Sequence, residues 1–540
     1  MSNQSIQQSP PVAASISPYS GTWNKATAAH LLRRTVYGPR LDEIEKAQRD
    51  GLDRTLDLIL GNLTVPKPPV KYRSDYDSAV QLGETWVNTP YIGTTKWRGL
   101  SLRGWFYNTM ILEEQTSIRD KMVFFWLNYF AVHGEYGDHR SLYSYIRLYQ
   151  ELATGNLREM LERITIEPQM LWCLDGNVNV KDNPNENYAR ELMELYTVGK
   201  GELIAKGDYS TFTEKDVVAL ARALTGWVNN DFRYAEDYTP VASQFVKEYH
   251  DTGDKQMSYH FGNVVIRNGG ADEYKKIIDI LLKSEHTARH FCRRLYRYFV
   301  YYEITDEIEE QIIKPLAQTF VANNYEVTPV LRQLLKSQHF YDMELRGAVI
   351  KNPIDLLVSS LRPFREYKHV DWVDLRYRYE IGINYCTYVD TNQLEFLQPP
   401  TISGWKAYYD SPKYHRHWIS PALLQKRYWM VKKSTGRNAH IDNNLLELDL
   451  YSFSKSLSNP LNINTVLDDL ILLFLPRPIT DAQYTRMKGW LLQGASDAVW
   501  SSEMSAYLAN PGKLDFVRPM EKRYYDFFEK LFGMAEFQLQ

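Results

Sequence analysis

Residues 175–198 read DGNVNVKDNPNENYARELMELYTV. Their second half decides the fold class. Tyr188, Ala189, Leu192, Met193, Leu195 and Tyr196 recur at helical spacing, and Glu186, Asn187, Arg190, Glu191 and Glu194 share the opposite face. Asn183 before Pro184, with Glu186 three residues on, predicts the helix start: Asn as N-cap, Pro in the first turn, Glu closing a capping box.

Working outward, the same periodicity returns at 24–36, 40–60, 101–133, 140–164, 213–226, 272–301, 305–337, 351–363, 420–431, 463–474, 480–492 and 514–537. Strand-like runs are scarce, the best being 258–266. The expected fold is mainly α: a large multi-helix, bundle-like domain with inserted loops and at most a small β-hairpin. A polar, disordered leader is expected over 1–22, a helical core over 23–435, and a C-terminal helical extension packed on it over 436–540. Residues 65–75 read as a linker, 228–256 as a polar loop, and 366–392 as Tyr-rich and irregular.

Composition narrows the function classes. Lys plus Arg is 63 and Asp plus Glu 66 in 540 residues, a net charge of −3, which gives no global reason to bind nucleic acid or an anionic membrane. The 44% apolar content excludes a disordered chain. No run approaches the roughly 20 apolar residues of a membrane span. The N-terminus has no basic start and no apolar stretch of a secretory signal, so the literal reading is cytoplasmic. Three cysteines, Cys173, Cys292 and Cys386, form no disulfide framework and no CxxC pair. Phosphate-binding glycine loops, a nucleophile elbow and kinase signatures are missing.

Several constellations can carry chemistry. The Glu186–Arg190–Glu194 ladder at i, i+4 spacing is either a solvated ion-pair face or, facing a cleft, a source of acid, base and clamp. Asp175, Asn177, Asn179 and Glu186 stand at positions 1, 3, 5 and 12 of a calcium-loop window, but Val180 replaces the required Gly and Lys181 adds positive charge. No other cofactor is expected. His250, Asp251, Asp254, Lys255 and His260 cluster around a turn. His286 and His290 share a helix face with Arg289, Arg293, Arg294 and Arg297, which suits an acidic partner face or an anionic ligand better than a metal.

The chain also resembles the bacterial family catalogued as domain of unknown function 1800, in the form found in Bacteroidota-type bacteria. The matching strings are AAHLLRRTVYG (28–38), KMVFFWLNYFAV (121–132), PNENYARELMELYTVGKG (184–201), FTEKDVVALARALTGW (212–227), HTARHFCRRLYRYFV (286–300), KNPIDLLVSSLR (351–362) and QPPTISGWKAYY (398–409). The resemblance implies no established activity. It implies a working partner, an alkaline-phosphatase-like protein of family 1501, and hence the periplasm or envelope as an alternative location. Relatives commonly read FWHNHF where this chain has Leu127 and Tyr129 at the two histidine positions.

Two readings result. One is an acid/base, hydrolase-type enzyme acting on a carbohydrate or other polyhydroxy envelope polymer. Glu186, Glu191, Glu194, His250 and Asp251 are its catalytic candidates; Arg190, Asn187, Trp126, Asn128, Trp227, Lys255, Arg293, Arg297 and Trp405 are its substrate contacts. The other is a non-catalytic binding or assembly partner of the phosphatase-like protein. Convergence of 186–194, 250–255 and 289–297 on one concavity would favour a ligand site, with the acidic and basic helices meeting face to face.

Overall fold

Helices carry the chain, as the periodicity requires. The computed structural model describes residues 14–61, 63–90, 96–112, 114–134, 138–230, 239–365, 367–368, 374–436, 439–441 and 444–540; residues 1–13 of the expected leader and parts of the 228–256 and 366–392 stretches lie outside them. Several long periodic segments divide in two. The 101–133 stretch becomes Lys96–Ile111 and Arg119–Tyr129, and 140–164 becomes His139–Glu151 and Leu157–Thr165. The second break falls at Thr154-Gly155-Asn156, where the Asn156 side chain accepts the Arg158 N–H and starts the new helix.

The 186–198 helix forms as Glu186–Glu194, but its cap differs from the expectation. Asn185, not Asn183, is the N-cap, and its side chain accepts the Asn187 N–H. An antiparallel bridge between Val180 and Asn183 holds that segment as a turn, and the Asn179 carboxamide oxygen takes the Asn185 N–H at 2.8 Å. The start therefore moves two residues on, and Glu186 becomes the first helical residue rather than the closing member of a capping box.

The stretch 366–392 is corrected more strongly. Residues Leu375–Asp390 form a helix, capped by the Asp374 side chain. Of its tyrosines, Tyr385 is fully buried and Tyr379 is 4% exposed, while Tyr377 and Tyr388 are half-buried. Close packing on the Lys96–Ile111 helix explains why weak local propensity is overridden. Gly104 and Gly382 face each other, and a Cβ on Gly382 would meet the Gly104 carbonyl oxygen at 2.3 Å. Gly382→Ala is expected to destabilise the protein by about 1–3 kcal/mol, because the obstacle is backbone; an unchanged urea midpoint would refute this packing.

Strand content is a few short antiparallel pairs rather than one hairpin. Trp227–Asn229 pairs with Ser243–Phe245, and Lys255–Gln256 with Val265–Ile266. The latter sits where a hairpin was expected. Tyr367–Lys368 and Ala439–Ile441 flank Asn444–Leu448 in a three-stranded sheet.

One apolar core runs through the described residues. It joins early and late helices: Ile463–Phe474 packs on Lys25–Thr35, and the Arg33 guanidinium donates to the Leu472 carbonyl. Val349 and Gln540 exchange backbone hydrogen bonds, with Ile350 and Leu539 bridged beside them. Among the described residues no helix is long and apolar enough to cross a membrane.

Candidate functional site

The charged side chains of the three loci nominated by sequence are engaged mainly with local partners rather than with one another. Arg190 pairs bidentately with Glu214 of the Glu214–Ala223 helix, at 2.8 and 2.9 Å, and with Glu186 at 3.1 Å. Glu194 lies 3.1 Å from Lys200. The acidic face is thus neutralised locally and does not meet the arginine helix. Arg293 instead clasps Glu309 with two bonds of 2.6 and 2.8 Å, joined by Arg289. The tie between the two helices is His290, whose Nε2 bonds the Leu195 carbonyl at 2.9 Å; burial, with Arg294 next, pushes its imidazole down to about 3 and keeps it neutral. Glu191 stands apart: burial, with Glu194 beside it, pushes its carboxyl up to about 7.

The 250–255 loop turns its two end side chains inward, while residues 252–254 between them are exposed. His250 and Lys255 are 3% and 0% exposed and both hold Glu273, at 3.2 and 2.6 Å. Asp251 pairs with Arg222 at 2.7 Å. These bonds fasten the loop to the helices on either side.

The aromatic candidates are mostly core. Trp126 is fully buried, donating to the Ala153 carbonyl. Trp405 is stacked on Phe124 with centroids 5.3 Å apart, and its backbone N–H donates to the Asn128 side chain at 2.8 Å. Asn128 therefore pins the 401–405 turn. Trp227 is half-buried against Tyr274 and Phe245. Leu127 and Tyr129 are core, and the Tyr129 hydroxyl donates to the Tyr196 carbonyl.

The calcium window is also otherwise engaged. Asn179 is buried, its amide donating to Ala221 O while its oxygen accepts from Asn185. Asp175 and Asn187 bond each other at 3.0 Å, and Asn177 is half-buried. No group of three or more His, Cys, Asp or Glu able to hold a metal occurs among the described residues.

A site that sequence reasoning missed lies elsewhere. A cavity of about 20 Å³ is lined by Arg34, Lys121, Asn352, Asp355, Tyr408 and His415, with half-buried Arg297 and Tyr302 beside them. That volume admits roughly one or two oxygen atoms of a ligand. Each side chain comes from a helix end or turn. Arg34 lies in the last turn of Lys25–Thr35 and Lys121 in the first turn of Arg119–Tyr129. Asn352 is the N-cap of Pro353–Leu361, where its side chain accepts the Asp355 N–H at 2.9 Å. Tyr408 and His415 come from two single turns, Lys406–Tyr408 and Tyr414–Trp418.

The polar groups are asymmetric. Lys121 donates to one Asp355 oxygen, and Asn352 donates to the Tyr408 hydroxyl at 3.0 Å, leaving the phenolic proton free to donate in turn. Arg34 is 3% exposed and uses Nη2 on the Leu345 carbonyl, yet its Nε and Nη1 are buried with no hydrogen-bond partner among the described residues. Burial pushes the guanidinium down to about 10, so it stays charged at neutral pH. The His415 Nδ1 accepts the Ile350 N–H at 3.2 Å. Burial, then Arg416 and Arg34, push this imidazole down to about 4. A neutral ring that accepts at Nδ1 carries its proton on Nε2, and that nitrogen too is buried without a partner. Donors on Arg34, His415 and Tyr408 thus accompany a single acidic side chain, with the Gln540 backbone also at the cavity wall.

A larger groove of about 460 Å³ runs between the Pro421–Thr435 and Leu514–Phe532 helices, past Tyr428, Trp429 and Tyr525. Its rim charges pair with one another, Lys432 with Glu529 and Lys522 with Asp526, both at 2.6 Å.

The chain belongs to the DUF1800 family. The model of this family, described as "Protein of unknown function (DUF1800)", matches residues 30–539, nearly the whole length. No curated protein and no solved structure matches. The strings that carry the resemblance to DUF1800 now acquire a spatial meaning. Those at 28–38, 121–132, 286–300, 351–362 and 398–409 contribute Arg34, Lys121, Arg297, Asn352 with Asp355, and Tyr408 to the cavity. The DUF1800 strings at 184–201 and 212–227 pair with each other through Arg190 and Glu214 instead.

Proposed function

We propose that this protein is a binding protein for an anionic polyhydroxy compound, whose anionic group enters the cavity at Arg34. The observation that carries the reading is the buried Arg34 guanidinium, with two N–H-bearing nitrogens unpartnered beside the donor nitrogen of His415. A buried cation with unfilled N–H groups, sharing its one nearby carboxylate side chain with Lys121, is costly, and an anion is the ligand that relieves the cost. The Tyr408 hydroxyl, and the second Asp355 oxygen through the lone pair that its 3.4 Å bond from the Asn352 amide leaves, suit hydroxyl groups next to the anion. Binding is favoured over glycoside cleavage at this place because Asp355 is the one carboxylate side chain among the described lining residues, whereas cleavage ordinarily uses two.

Calorimetric titration with glucuronate, sulfate, phosphate and glucose tests the proposal. The anions are expected to bind and glucose to bind at least about tenfold more weakly, a difference near 1.4 kcal/mol. Equal affinity for glucose and glucuronate would refute it.

A second reading, acid/base catalysis at the Glu186–Glu194 helix, is supported by the Glu191 carboxyl at about 7, poised to hold or release a proton near neutrality. Glu191→Gln is then expected to lower turnover of an envelope polysaccharide by about 10²–10⁴-fold with an unchanged melting temperature. Full activity in the variant would end that reading.

A further inference from the structure

The cavity is one edge of a larger buried charge cluster. Arg34, Lys121, Lys351 and Arg427 are each at most 4% exposed, and all four act electrostatically on Asp355. Four buried cations therefore share one acidic side chain. In a low-dielectric interior they cannot all keep their protons without further anionic charge. Guanidinium groups do not discharge in proteins, whereas buried amines do. Of the two lysines, Lys121 is held by its ion pair with Asp355. Lys351 is the amine left to yield.

Its surroundings fit that role. The Lys351 backbone is fixed at both ends, its N–H donating to Gln538 O at 2.9 Å and its carbonyl accepting from Arg427 at 2.9 Å. The amine sits 4.1 Å from the Phe537 ring centroid. The charged groups that face it are Asp355 from its own helix start, Arg33 from Lys25–Thr35, Lys121 from Arg119–Tyr129 and Arg427 from Pro421–Thr435. Residues 349, 350 and 352, on either side of it in sequence, line the cavity.

We propose that anion binding in the cavity is coupled to uptake of one proton by the Lys351 amine. The inference rests on the anion-site reading and adds a linkage to it. Without a ligand, burial, only partly opposed by Asp355, pushes the amine down to about 7, so above neutrality it is largely unprotonated. An arriving anion supplies the counter-charge the cluster lacks and raises the proton affinity of Lys351. By linkage, protonation strengthens anion binding equally. The sign is definite: affinity is highest below about pH 7 and falls as pH rises through that value. His415 is not the proton acceptor, because its Nδ1 is already engaged by a backbone N–H and its imidazole is pushed well below neutrality.

The full-length protein titrated calorimetrically with sodium sulfate tests this, sulfate having no titration of its own over the range. At pH 8, in two buffers of different ionisation enthalpy, uptake approaching one proton per sulfate is expected. Between pH 7.5 and 9 the dissociation constant is expected to rise by up to about tenfold per pH unit. Lys351→Met is expected to bind sulfate with no proton uptake and no such slope. Lys351→Arg, permanently charged, provides the same readout if the first variant fails to fold. Sulfate binding by the unaltered protein without proton uptake would overturn the linkage, as would uptake that persists in a folded Lys351 variant. Absence of sulfate binding at every pH would overturn the anion site itself.

Discussion

Asp355→Asn is expected to destabilise the protein by about 3–5 kcal/mol, measured by urea unfolding at pH 7. Asp355 is 4% exposed and is the carboxylate on which Arg34, Lys121, Lys351 and Arg427 all act. Removing its charge leaves Lys121 in a low-dielectric interior beside Arg34, with no counter-charge. The helix start suffers less, because the Asp355 backbone N–H still donates to Asn352. The double variant Lys121→Met, Asp355→Leu is expected to recover most of the loss, since a buried pair replaced together by apolar groups is often neutral. A single-variant loss under 1 kcal/mol would show that the cluster is screened rather than buried.

Arg34→Met is expected to have the opposite effect on the ligand-free protein. Arg34 places a buried guanidinium with two unpartnered nitrogens where one hydrogen bond, to Leu345 O, holds it. Met has similar length and no charge, so the variant should be as stable as the parent or more stable by about 1–2 kcal/mol. Anion affinity should nevertheless fall by about 2–4 kcal/mol, or roughly 30- to 1,000-fold. This crossed result, stability kept and binding lost, separates a ligand-holding residue from a structural one. Arg362 is the useful contrast: it is equally buried but bonds both Glu43 oxygens, at 2.7 and 2.8 Å, so Arg362→Met should cost stability.

The helical architecture is legible in the sequence, and the cavity is not. Helix identity is local. Tyr188, Leu192 and Met193 state their face within two turns, and the structure buries all three. Helix ends were less secure because neighbours compete for them: the Asn179 side chain relocated the 186 cap. The Leu375–Asp390 helix was hidden because its Tyr, Ile and Thr content reads as loop or strand, while the contact that stabilises it is Gly382 against Gly104, 278 positions earlier.

The cavity has no local signature at all. Arg34, Lys121, Asp355 and His415 are separated by dozens to hundreds of residues, and each looks like an ordinary helix-end charge. The carboxylate ladder at 186–194 is conspicuous because its members lie within one short stretch of sequence, yet Arg190 and Glu214 satisfy one another. One signal was available: the strings that carry the family resemblance hold a cation or carboxylate at 34, 121, 297 and 355. Only the fold shows that these converge.

The central claim, that the cavity takes an anion, is tested most directly by a crystal structure of the protein soaked in selenate, which reports its position through selenium anomalous scattering. The account predicts a selenium peak at the mouth of the cavity, with a selenate oxygen reaching in to the Arg34 guanidinium and the His415 Nε2, lost in Arg34→Met. A cavity holding water alone at saturating selenate would contradict it.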